Sequence, residues 1–132
     1  MIAILAALAL QSAPPYLQFM EEAEALGRAA YLGGVCAGMG IVETDEGALQ
    51  DLADDFIRRA TIARTDGPVL DGALQSGIQR EKEAVALMMD LGPDDGSARR
   101  RQREDQAAEY FGKGCADLTL DYPEAFKLPA EN

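Results

Sequence analysis

Two cysteines, Cys36 and Cys115, stand 79 positions apart in a chain of 132 residues, and whether they are joined decides which folds are open. A bridge holds its two Cα atoms within about 7 Å, so a fold that carries one must bring two distant segments side by side. Disulfides persist outside the reducing cytosol, so the question turns on compartment. The first thirteen residues, MIAILAALALQSA, carry no charge, and residues 2–10 form an unbroken apolar run. Such a run, closing on small residues, reads as a signal peptide. It is far shorter than the roughly 20 apolar residues of a membrane-spanning helix, because Gln11, Ser12, Pro14 and Pro15 end it. Cleavage is expected after Ala9 or Ala13, leaving a single domain over residues 14–132 with no integral membrane segment. The expected location is outside the cytoplasm, periplasmic or secreted in a bacterium, with Cys36 and Cys115 paired. Closing a loop of that length stabilises the fold by roughly 4.5 kcal/mol in the chain-entropy account.

The mature chain reads as four helices. The first spans about Tyr16 to Gly38, and its small residues Ala23, Gly27, Ala30, Gly34 and Gly38 recur at steps of three and four. They form a strip where another helix can come close, or the wall of a groove. Each interior glycine costs about 1 kcal/mol of helix propensity, so a close contact is expected in return. The second helix begins after Thr44 or Asp45 and carries the clearest amphipathic pattern, Leu49, Leu52, Ala53, Phe56, Ile57, Ala60 and Ala63. Its outer face offers Asp54 with Arg58 and Asp55 with Arg59 as pairs four residues apart. The third helix opens at Pro68 and ends before Gly92-Pro93. The fourth begins after Asp94-Asp95-Gly96-Ser97 and is stopped by Pro123. No strand-like alternation of useful length is present, so the expected class is all-α, a small four-helix domain.

The bridge constrains how these helices are arranged. Cys115 lies some 18 residues into the fourth helix, about 27 Å along its axis, whereas Cys36 closes the first. Regular up-down-up-down packing would separate them, so a non-simple topology is expected if the disulfide forms. Only the second half of the fourth helix, with Phe111, Cys115, Leu118 and Tyr122, has the pattern of a buried face.

Chemistry is restricted by what is missing. There is no His, and 12 Lys+Arg stand against 23 Asp+Glu for a net charge of −11. Phosphate backbones require a positive surface, so nucleic acid is not an expected partner. Without His there is no familiar triad, and two distant cysteines build no common zinc site. Ser12, Ser76 and Ser97 belong to no nucleophile motif, no phosphate-binding glycine loop follows a strand, and no metal or cofactor is expected. Two positions invite a function. Glu81 falls on the apolar stripe Leu74, Ile78, Glu81, Val85 and Met88, and burial would perturb it unless Arg28 or Arg80 partners it. Arg99, Arg100, Arg101 and Arg103 crowd the positive end of a helix, where cations are unfavourable, and form a candidate docking patch for an acidic partner.

No motif identifies a family. The reading favoured by elimination is a small exported, non-catalytic module that binds another protein through a helical face. Two others stand beside it: an acid- or envelope-stress chaperone, in which protonation of the carboxylates loosens the fold, and a carrier of a small hydrophobic ligand in a pocket beside the glycine strip.

Overall fold

The computed structural model describes residues 15–130, so the expected leader and both cleavage positions lie outside the described residues. Four helices account for most of the chain: α1 (Pro15–Gly38), α2 (Glu46–Ile62), α3 (Gly67–Met89) and α4 (Ala98–Asp121). The all-α class and the helix count agree with the sequence, and the boundaries follow local chemistry. Asp45 caps α2 by accepting from the Ala48 N–H at 3.0 Å, and Ser97 caps α4 by accepting from the Arg100 N–H at 3.1 Å. At the end of α2, Arg64 adopts φ +57° and the Thr65 N–H returns to the Ala60 carbonyl, a Schellman reversal made without glycine. Gly92 and Gly96 take positive φ in the α3–α4 connection, where only glycine does so without strain.

The centre of the molecule is the α1/α3 pair, which makes the closest and most extensive backbone approach in the protein. The two helices run parallel. Leu70 joins the cluster of Phe19 and Met20, Gly77 meets Glu24, and Glu81 faces Arg28, so residue numbers rise together along both. The approach is reciprocal. A Cβ at Gly27 would overlap the Leu74 carbonyl oxygen, and a Cβ at Gly77 would overlap that of Glu24. Gly27 belongs to the small-residue strip of α1, and its counterpart Gly77 follows Ala73 at a step of four on α3.

α2 and α4 flank this pair. α4 meets α3 where Tyr110 reaches Glu81, and meets α1 at Gly114 against Leu32 and at Cys115 against Cys36. It makes few close backbone approaches to either helix, so it crosses the pair rather than running alongside it. The polar first half, from Ala98 to Gln106, stays mostly exposed, and burial begins near Tyr110 and Phe111. That offset removes the conflict between the bridge and the length of α4. Cys36 and Cys115 are joined with a Cα–Cα distance of 5.8 Å in a non-simple arrangement, and both are fully buried.

One small element was not legible beforehand. Residues β1 (Glu43–Thr44) and β2 (Phe126–Lys127) pair antiparallel, with Thr44 opposite Phe126. The Asp45 N–H also donates to the Ala125 carbonyl at 2.8 Å, so the C-terminal tail is fastened to the start of α2. Phe126 drives this closure. Its ring lies against Gly33 of α1, where any side chain would collide with it, and it is among the most deeply buried residues.

The charged face of α2 differs from the expected pairing. Arg58 and Arg59 both engage Asp55, at 2.6 and 2.9 Å, while Asp54 accepts from Gln50 at 2.9 Å. Asp54 is thus not the partner of Arg58, because Asp55 is within reach of both guanidinium groups. Arg59 also grips Glu22 of α1 through both of that carboxylate's oxygens.

Candidate functional site

Among the described residues the backbone of α2 approaches the other helices far less than that of α3 approaches α1. Its bulky side chains hold it off. Phe56 reaches back to Phe19 of α1 with ring centroids 6.0 Å apart, and Phe56 and Ala60 join Ala23 and Leu70 in a small buried cluster. Between α2 and the α1/α3 pair a cleft of about 520 Å³ remains. α2 contributes Leu49, Leu52, Ala53, Phe56, Ile57 and Ala60, the amphipathic stripe read from the sequence without its last member, Ala63, which lines a smaller cavity with Tyr16. The opposite wall holds Leu26, Ala29 and Ala30 of α1 and Leu70 and Leu74 of α3, with Tyr122 and Phe126 at one end. Small residues on both walls, Ala29, Ala30 and Ala53, leave the space that larger ones would fill.

Polar groups in the cleft are few. Thr61 and Thr65 donate to the carbonyls of Ile57 and Ala60 at 2.7 and 2.8 Å, so each is occupied by its own helix end. Among the described residues Asp71 is the one ionisable acid on the wall, and the Tyr122 phenol the other titratable group. Burial raises the phenol's pKa, and the Asp121 and Glu22 carboxylates raise it further. Size and lining match those of small-molecule sites, which are concave, mostly apolar and carry a few placed polar groups.

The other side of the α1/α3 pair carries a wider groove containing Glu81. Glu81 is 3% exposed, and the Tyr110 O–H donates to its Oε1 at 2.6 Å. Arg28 stands further off, with Nε 3.8 Å from Oε2 and a largely exposed side chain. Arg80, the other partner considered, instead pairs with Glu24. Tyr110 was missed because it lies beside Phe111 on another helix and no spacing rule links it to Glu81. Its pKa is pushed up to about 12, by burial first and then by its hydrogen bond to Glu81.

The arginine cluster is largely engaged in local structure. Arg100 donates to the Gly92 carbonyl at 2.7 Å and pairs with Glu104, and Arg101 donates to the Gly96 carbonyl at 2.8 Å. The Arg103 guanidinium lies against Gly92, and Arg99 is exposed. Cations at this helix start are thus offset by carbonyls of the preceding loop, which sequence patterns do not display. The small-residue strip of α1 divides. Ala23 and Gly27 are buried, Gly27 against α3; Ala30 lines the cleft; Gly34 and Gly38 are exposed with nothing opposite.

No known family, curated protein or solved structure matches this chain. Function must therefore be argued from the site. Among the described residues no helix is long and apolar enough to cross a membrane, and no three metal-ligating side chains converge.

Proposed function

We propose that this is a small exported, non-catalytic binding protein whose cleft between α2 and the α1/α3 pair carries a hydrophobic ligand. One observation carries the reading: an apolar cavity of about 520 Å³ lined by the aliphatic and aromatic side chains of three helices, inside a domain small enough to have closed it. Protein interiors pack with few voids larger than a water molecule. Export is supported by the charge-free leader and by the buried Cys36–Cys115 bridge, which suits an oxidising compartment.

The test is native mass spectrometry of protein recovered from an exporting host, beside an Ala53→Trp variant that fills the cleft. The expected result is a chain lacking its leader, with a bound small molecule that is absent from the variant. Binding of apolar probes to both proteins alike would overturn the assignment of the cleft.

A protein partner that lays an apolar helix face into the same cleft is the second reading, and Ile57 favours it. That residue lines the cleft yet is 60% exposed, so the apolar wall continues onto the surface of α2. A co-purifying protein released by Ile57→Asp, in place of a small molecule, would decide for this alternative.

A further inference from the structure

The cleft is apolar but not electrically neutral. Asp71, in the second turn of α3, is exposed, lines the cleft and enters no ion pair among the described residues. Among the described residues no lysine or arginine lines the same space. Of the cations on the neighbouring turns, Arg59 is held by Glu22 and Asp55, and Arg64 is exposed beside Asp66 in an adjoining smaller cavity that shares Thr65 and Leu70 with the cleft without itself lining it. Thr61 and Thr65 donate their hydroxyl protons to backbone carbonyls and can face a ligand only as acceptors, while the Tyr122 hydroxyl donates to no partner among the described residues. A ligand entering here therefore meets a long apolar wall, one free carboxylate and one phenol, in a chain with a net charge of −11.

We infer that the cleft selects a cationic amphiphile, an aliphatic chain ending in an ammonium group, with the chain against Leu49, Leu52, Phe56 and Leu74 and the ammonium at Asp71. The inference rests on the reading of the cleft as a ligand site and adds the charge of the head group. An ammonium gains an opposite charge and a hydrogen-bond acceptor at the cleft wall. A carboxylate-ended chain of equal length would bring a second anion to Asp71 with no cation on the wall to offset it, and the two like charges repel, more weakly as salt screens the exposed Asp71. The apolar chain supplies most of the affinity in either case, so discrimination lies in the head group alone.

The experiment uses the mature protein at neutral pH and three probes with one chain and different heads: decylamine, decanol and decanoate, titrated calorimetrically. Decylamine is expected to bind about tenfold more tightly than decanoate, with decanol between them, and added salt should narrow the gap. Asp71→Asn is expected to weaken decylamine roughly fivefold, leave decanol unchanged and strengthen decanoate. If decanoate binds as tightly as decylamine, or if Asp71→Asn changes nothing while Ala53→Trp still blocks decanol, the head-group inference is overturned and the apolar site stands. Failure of all three probes to bind overturns both. A concentration-dependent dimer that Ala53→Trp dissolves would identify a second copy of the chain as the occupant, and would also overturn the inference.

Discussion

Replacing Gly77 by alanine adds one methyl group at the tightest point between α1 and α3. In a helix interior that substitution ordinarily stabilises by about 0.8–1.0 kcal/mol, because glycine loses more backbone entropy on folding than alanine. Here the new Cβ would overlap the Glu24 carbonyl oxygen and crowd its carbonyl carbon and Cα, all main-chain atoms of a helix that cannot swing aside. Overpacking in a well-filled interior costs about 1–3 kcal/mol, and rigid neighbours put this site toward the upper end. The expected net effect is a loss of about 1–2 kcal/mol. Gly112 supplies the opposite case: it lies inside α4, exposed, with nothing within reach of an added Cβ. Gly112→Ala should therefore gain about 0.8 kcal/mol. The two variants should differ in melting temperature by roughly 10 °C, followed by circular dichroism on the oxidised protein. Gly27→Ala should behave like Gly77→Ala, and the double variant should lose less than the sum, since one separation of the helices makes room for both methyls. If Gly77→Ala and Gly112→Ala stabilise equally, the close parallel packing of α1 on α3 is wrong.

Two further outcomes concern the buried polar and covalent links. Because the folded pKa of Tyr110, about 12, lies above the unfolded value near 10, its contribution is complete below about pH 10 and lost as pH rises through about 12. Ultraviolet titration of wild type against Tyr110→Phe would show this, and the variant should lose about 1–3 kcal/mol at pH 7 by removing the donor to the buried Glu81; an unchanged high-pH limb and unchanged stability would refute the pairing. The Cys36–Cys115 bridge, with both residues fully buried, should resist a small reductant in buffer and yield once denaturant opens the domain, as followed by alkylation and intact mass; reduction in the folded protein at the rate of an exposed disulfide would show that the bridge is not enclosed.

The helices were legible because their signals are local. Asp45 and Ser97 stand where caps belong, Pro68 and Pro123 punctuate, and the second helix repeats its apolar residues at helical spacing. The disulfide was legible as a pair of cysteines in a chain expected to be exported, and the topological conflict it raised pointed to the departure from a regular bundle. What could not be read depends on pairs of segments distant in sequence. Gly27 announced a close approach, but nothing local ties it to Gly77, which follows Ala73 at the same step of four on a helix fifty residues on. Glu81 announced a buried acid, but its donor Tyr110 is fixed by the crossing of α4. The seat of Phe126 on α1 joins the tail to a segment some ninety residues earlier, and Gly33, the position that admits its ring, is one glycine among several in the sequence. The arginine cluster looked unfavourable because its compensation comes from the carbonyls of Gly92 and Gly96, which no side-chain code records. The cleft itself belongs to no motif, since it arises from the distance between α2 and its neighbours.

That distance follows from how the two sides of the central pair are built. Glycine contacts at Gly27 and Gly77 let α1 and α3 settle almost backbone to backbone, which leaves a shallow valley between them. A helix presenting Leu49, Leu52 and Phe56 cannot descend into such a valley; its large side chains touch the rims and keep its axis high. The ends of α2 are then fastened at that height. At its start, Thr44 pairs with Phe126 and the Asp45 N–H bonds Ala125; near its end, Arg59 grips Glu22 and Phe56 meets Phe19. Lowering α2 to close the cleft would recover burial worth about 25 cal/mol for each Å² of apolar surface covered, but it would require both fastenings to shift and Phe126 to leave its place on Gly33. The opening is thus set by elements that lie outside it. A ligand that supplies the missing apolar surface gains the burial the chain itself forgoes, and it does so without asking α2 to move.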